Sequence, residues 1–201
     1  MMRMAFIVLA ATSILSASAL AKPTTRDPAK APAGTYELDA RHASLTAKVA
    51  HMGFSNYAIR FDKLAGGFAY DPANLAGTRL TVTVDPKSVH TGLPAFDTEL
   101  AGGKFLDAAK YPAITFVSTA VEAGPDGRGK VTGDLTFLGV TKPVTLDVVF
   151  NGAGPGLMGA GVRMGFSGIA RINRSDFGLK VFDSVVGDEV SFDFEIEFVR
   201  K

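Results

Sequence analysis

The chain has 201 residues, fifteen of them phenylalanine, with no cysteine, no tryptophan and a formal net charge of +1. So even a balance argues against a nucleic-acid partner, which would want a basic stripe. Without cysteine there can be no disulfide, no thiolate zinc site and no lipidated N-terminal cysteine.

The first 21 residues read as a cleaved secretory signal. Arg3 supplies the positive start, Ala5 to Leu15 the apolar run, and Ala19-Leu20-Ala21 a small-x-small cleavage site. Removing Arg3, the segment's single charge, takes the net charge from +1 to 0. No Arg-Arg pair precedes the apolar run, so the general secretory route and a periplasmic address are expected. Residues 22–33, KPTTRDPAKAPA, hold three prolines and no large apolar residue, and read as a flexible leader. Residues 34–200 suit one domain with a sizeable core.

From there the pattern is strand and turn. Gly34–Asp39 and Ser44–Met52 are expected to form a first pair. Tyr57–Leu64 and Gly67–Asp71 follow, divided at Ala65-Gly66-Gly67. Thr78–Asp85 sets Leu80, Val82 and Val84 against Arg79, Thr81 and Thr83. Ala113–Glu122, Lys130–Gly139, Lys142–Asn151, Gly159–Ile172 and Asp188–Arg200 complete the set, with glycine- and proline-rich turns between them. The clearest alternation is the last. Phe192, Phe194, Ile196 and Phe198 share one face, and Asp193, Glu195 and Glu197 the other. Residues 93–110 break the rhythm, because Leu93, Phe96 and Leu100 recur at helical spacing before Gly102-Gly103. Eight or so antiparallel strands with one short helical insertion make an all-β domain, an up-and-down barrel or a sandwich.

A sheet with this much apolar surface on one side must close on a packed core or on a cavity. The cavity reading assigns the wall to alternating positions: Phe61, Phe68, Leu80, Val82, Phe116, Phe137, Leu146, Phe192 and Phe194. Phe96 of the helix would sit at the entrance, as a moving gate or a fixed plug. Polar chemistry is sparse. His42, His51 and His90 are expected to be structural, and no metal or cofactor is expected. Gly154 to Gly159 matches a dinucleotide fingerprint, but proline interrupts the loop and no helix pattern follows. The cluster Asn173-Arg174-Ser175-Asp176-Phe177-Gly178 reads first as a structural knot, with Arg174 paired to Asp97 or Asp176. The other use for Arg174 is to hold a ligand's head group at the rim. An enzyme drawing on Asp97, Asp176, Arg174 or His51 finds no nucleophile–base pair in the sequence.

Six ordered segments carry a family resemblance: DARHASLTAKVAHMG at 39–53, KSVHTG at 87–92, FDTEL at 96–100, KFLDAAKYPAITFVST at 104–119, VTGDLTFLGVTKPVTL at 131–146, and NRSDFGL at 173–179 with VGDEV at 186–190. Together they resemble the YceI-like family of exported, lipocalin-like, polyisoprenoid-binding proteins across most of residues 34–200. The resemblance implies an eight-stranded antiparallel lipocalin-like barrel around a long apolar pocket for a polyisoprenoid or other long-chain lipid. It implies a binder or carrier, not an enzyme, with a ligand-free structural or stress-response envelope protein as the alternative. Transient membrane contact and a homodimer both stay open. The chain departs from the family pattern at Tyr36, at Ala43 and at Phe96 to Leu100, where Phe96 and Glu99 replace an Arg and a His.

Overall fold

The computed structural model describes residues 23–201; the expected signal segment and Lys22 lie outside the described residues. The strands are Gly34–His51 (β1), Ser55–Phe61 (β2), Leu64–Tyr70 (β3), Arg79–Val84 (β4), Val89–His90 (β5), Ile114–Ala123 (β6), Arg128–Phe137 (β7), Val140–Pro155 (β8), Val162–Asn173 (β9) and Val186–Arg200 (β10). The helix is Pro94–Ala101 (α1). Neighbours run β1–β3–β4–β6–β7–β8–β9–β10, and β10 pairs back onto β1, so eight antiparallel strands close a barrel. Closure removes the edges that an open sheet of this length would leave. Of the two folds open from the strand pattern, it is the barrel that forms.

Two boundaries differ from expectation for physical reasons. Gly34–Asp39 and Ser44–Met52 are not a pair but the two halves of one 18-residue strand. Between Leu38, opposite Phe198, and Ala43, opposite Ile196, the register slips. Residues 39–42 bulge there. The bulge bends β1, so its first half pairs with β3 and its second half with β2. It also reverses the parity of the strand, since Tyr36 and Leu38 point inward before it and Leu45, Ala47 and Val49 after it. The second difference is the break between β2 and β3. It falls at Asp62-Lys63, not at Ala65-Gly66-Gly67, because Gly66 and Gly67 pair with β4 and β1 inside the sheet. β2 and the two-residue β5 continue the sheet outside the ring.

The β7–β8 hairpin shows how local sequence sets register. Phe137 pairs with Val140 across Leu138-Gly139, both at positive φ (50° and 76°). A two-residue turn of that twist suits the strands, and glycine takes the second position without strain.

One end of the barrel is filled. Tyr36, fully buried, stacks on Phe68 at 5.5 Å between ring centroids, and Phe68 meets Phe198 at 4.8 Å and Phe166 at 6.1 Å. The leader is laid over this end. Thr25 bridges to Ala153, Ala31 is buried, and the Tyr36 and Tyr70 hydroxyls donate to the carbonyls of Pro32 (2.8 Å) and Pro28 (2.6 Å). Burial foremost, then Tyr36 and Asp27 nearby, push the Tyr70 phenol up to about 12. At the opposite end gather the β1–β2 turn, α1 with its following turns, and the long β9–β10 connection.

Candidate ligand-binding cavity

Inside the barrel lies a cavity of about 630 Å³, within the range of small-molecule sites. It runs from α1 along β4, β6 and β7, beside the aromatic cluster, to Leu75, Val121 and Ala123 near the other end. Its hollowness follows from the pairing of large with small residues around the wall. On β10, Phe192 faces Ala47 and Ala170, and Phe194 faces Leu45 and Gly168. A Cβ at Gly168 would collide with the Phe194 ring, and one at Gly133 would stand 2.6 Å from Cζ of Phe116. These rings lie against the glycines of neighbouring strands instead of reaching across the lumen. Leu80, Val82, Leu146, Phe192 and Phe194 accordingly remain only half-buried, although they point inward.

Every residue assigned to the wall from sequence lines this cavity. Phe61, Phe68, Phe116 and Phe137 are buried, and Leu80 and Val82 stand opposite Phe68 and Phe116 in register. Phe96 reaches the lumen from α1, where its ring meets Tyr57 edge-on at 5.6 Å. Leu100 is buried beneath the helix, and Phe105 and Leu106 follow it onto the wall. Leu93, expected on the same packed face, is 60% exposed instead. The sequence reading missed Phe150, Phe166, Leu45, Leu135 and Val190, which also line the cavity. The bulge in β1 obscures the parity of Leu45, the run Val148-Val149-Phe150 is apolar on both faces, and Gly165 and Gly168 near Phe166 weaken its alternation.

Arg174 lines the cavity too, but its partners differ from those expected. It pairs with neither Asp97 nor Asp176. Its guanidinium, 4% exposed, donates to four backbone carbonyls: Gly187 (2.8 Å), Leu179 (2.9 Å), Val181 (2.8 Å) and Val186 (2.9 Å). Five donors in a planar fork suit such an array of carbonyls. Arg174 therefore ties the β9–β10 connection to the start of β10, with most of its donors spent. Asp188 supports the same knot, accepting from the Ser175 amide and hydroxyl, and these bonds hold its carboxyl below the ordinary value. Asp97 accepts from the Thr91 amide and hydroxyl, both at 2.6 Å, which fixes the approach to α1.

The histidines are not brought together. His51 is on the cavity wall beside Tyr57. His90 stands 3.8 Å from Asp62 and 3.9 Å from Asp97. His42, in the β1 bulge, contacts Asp39 at 2.9 Å. Arg163 donates to Asp39 (2.7 Å) and Glu197 (2.8 Å). Arg163 first, then His42, hold the Asp39 carboxyl down at about 2. Among the described residues no group of three His, Cys, Asp or Glu is placed to hold a metal ion.

Comparison with known proteins places this geometry. A model of the YceI-like domain matches residues 36–198. A UPF0312 protein of Vibrio cholerae is 39% identical over 176 residues, covering 87% of this chain and 92% of its own. One from Shewanella is 36% identical over the same length. Among solved structures, BcnA of Burkholderia cenocepacia superposes with a TM-score of 0.71 at 28% identity, covering 80% of this chain and 98% of its own. A YceI protein of Campylobacter jejuni gives 0.68 at 32% identity, covering 75% and 89%. The closed barrel, the apolar lumen and these matches agree: the chain belongs to the YceI-like family.

Proposed function

We propose that this protein binds a long-chain isoprenoid or related lipid in the barrel lumen and carries it through the periplasm. The observation that carries this reading is the cavity itself, an elongated apolar space of about 630 Å³ kept open by Phe–Gly and Phe–Ala pairs along its wall. A barrel serving only as a structural module would fill that space with side chains. A fold relative, the polyisoprenoid-binding domain from Saccharophagus degradans, has the same architecture at a TM-score of 0.63 and 18% identity. The tail would lie along Leu80, Val82, Phe116 and Phe194. The head group would stay near His51 and Tyr57, since Arg174 is engaged with backbone.

Each CH₂ removed from water contributes roughly 0.8 kcal/mol. The bilayer offers the tail the same relief, so transfer between membrane and lumen lies near balance, which suits a shuttle. Binding accounts for the lumen without any reacting group. Native mass spectrometry of the protein from the periplasm of its own host should show a lipid adduct on a chain that starts at Lys22. Recovery of an empty barrel that also takes up no polyprenyl lipid in vitro would refute the carrier role.

A further inference from the structure

A lipid carrier must meet the membrane with its cavity entrance, and the exposed apolar side chains gather at one end of this barrel. Among the described residues the exposed large apolar side chains are Met52, Phe54, Leu93, Val117, Leu157, Met158, Ile169, Phe182 and Val185. Val117 and Ile169 are single residues on the outer wall, of a kind every protein shows. Leu157 and Met158 form the tip of the β8–β9 hairpin, at the end covered by the leader. The other five lie at the α1 end. Phe54 is 86% exposed and Met52 55%, in the β1–β2 turn. Phe182, 47% exposed, and Val185 belong to the β9–β10 connection. The two loops are joined by a backbone hydrogen bond from the Met52 amide to the Val185 carbonyl, at 2.7 Å.

This patch is continuous with the lumen. Val49 and His51, just before Met52, line the cavity, as do Val181 and Val186, which flank Phe182 and Val185. Phe105 lines it as well, with its ring 6.1 Å from that of Phe182. Lys104 lies over Phe182, its Nζ 4.2 Å from the ring centroid, so the long stem covers apolar surface while the charge remains at the rim. An apolar patch with a polar rim marks a contact surface.

We propose that Met52, Phe54, Phe182 and Val185 form a membrane-docking tip that inserts into the interface of a lipid bilayer and opens the cavity directly onto it. The proposal rests on the lipid-carrier reading and names the partner from which the lipid is taken. A bilayer fits better than a second copy of the chain, because the patch adjoins residues of the lumen wall, next to the space that the apolar cargo must enter. The charge supports the same choice. Residues 52–54 carry no charge and Lys180 and Asp183 in the second loop cancel, which leaves the single positive charge of Lys104 at the rim. Insertion is therefore driven by apolar burial, with little dependence on anionic lipid or salt.

The test uses the mature chain and two double variants, all assayed for sedimentation with phosphatidylcholine vesicles. Phe54→Ser with Phe182→Ser removes the tip, and Leu157→Ser with Met158→Ser alters the opposite end; all four residues are exposed, so both variants should keep their fold. The first variant should lose vesicle partition by about tenfold or more, and the second should bind as the parent does. Adding phosphatidylglycerol or raising salt should change the parent's binding less than about threefold. A parent that ignores vesicles, or a tip variant that binds them unchanged, overturns the proposal. So does a parent dimer that the tip variant converts to monomer, which would make the patch a self-association surface. A water-soluble fluorescent short-chain isoprenoid, titrated in parallel, keeps the two readings apart. Normal uptake without vesicle binding fails the tip alone, whereas tip-dependent vesicle binding without uptake fails the lipid-carrier reading.

Discussion

Arg174→Met tests whether the arginine is a structural tie or a head-group ligand. Methionine keeps much of the length and removes every donor. Four carbonyls then lose their partners. Hydrogen bonds from a charged donor contribute roughly 1.5–3 kcal/mol each, but the four do not simply add. Leu179 and Val181 lie in the β9–β10 connection, and their carbonyls recover water once that loop lifts. Val186 and Gly187 open β10, so their carbonyls stay half-buried against the barrel. A loss of about 3–5 kcal/mol follows, in line with breaking other buried charged networks. For a domain of this size each kcal/mol shifts the midpoint by about 2–4 °C, so Tm should fall by about 10 °C. Arg174→Lys, with a point charge in place of the fork, should recover only part of that. Thermal unfolding followed by circular dichroism reads both variants. An Arg174→Met protein that melts within about 1 °C of the parent but binds lipid poorly would refute the structural role and restore the head-group role.

Two further outcomes follow from the wall and the outer surface. Gly168→Ala places a Cβ against the Phe194 ring and 2.6 Å from the Asp147 carbonyl oxygen, so the ring must turn into the lumen. Affinity for a long polyprenyl chain should fall by about tenfold while a short chain is less affected; equal affinity for the long chain would refute the account of why the barrel is hollow. Asp39, held down at about 2 by Arg163 and His42, contributes stability that is complete above its ordinary value and is lost as pH falls through about 2. Direct conversion of that shift is about 2–3 kcal/mol, and water around the half-exposed His42 and Glu197 trims it toward about 1. Asp39→Asn should therefore be less stable than the parent at pH 7 and equal to it near pH 2; a deficit of the same size at both pH values would show that the ion pairs are not its source.

Alternation along the strands already determined that this chain makes a one-faced antiparallel sheet and which side chains look inward. A period of two needs no tertiary information where a strand is regular. For that reason the wall positions from Phe61 to Phe194 were legible before any fold was known. Glycine and proline likewise marked most turns, and helical spacing at Phe96 and Leu100 marked α1. Three things waited for the tertiary structure. The bulge at residues 39–42 joined two expected strands into one and reversed their parity, and nothing local distinguishes a bulge from a turn at Asp39 to His42. The partners of Arg174 are backbone carbonyls up to 13 residues away, and carbonyls carry no sequence signature. Whether the lumen is full or hollow depends on which residue stands beside each phenylalanine on the neighbouring strand. Gly168 beside Phe194 is a pairing between residues 26 apart, set by the register of β9 against β10 and not by either strand alone.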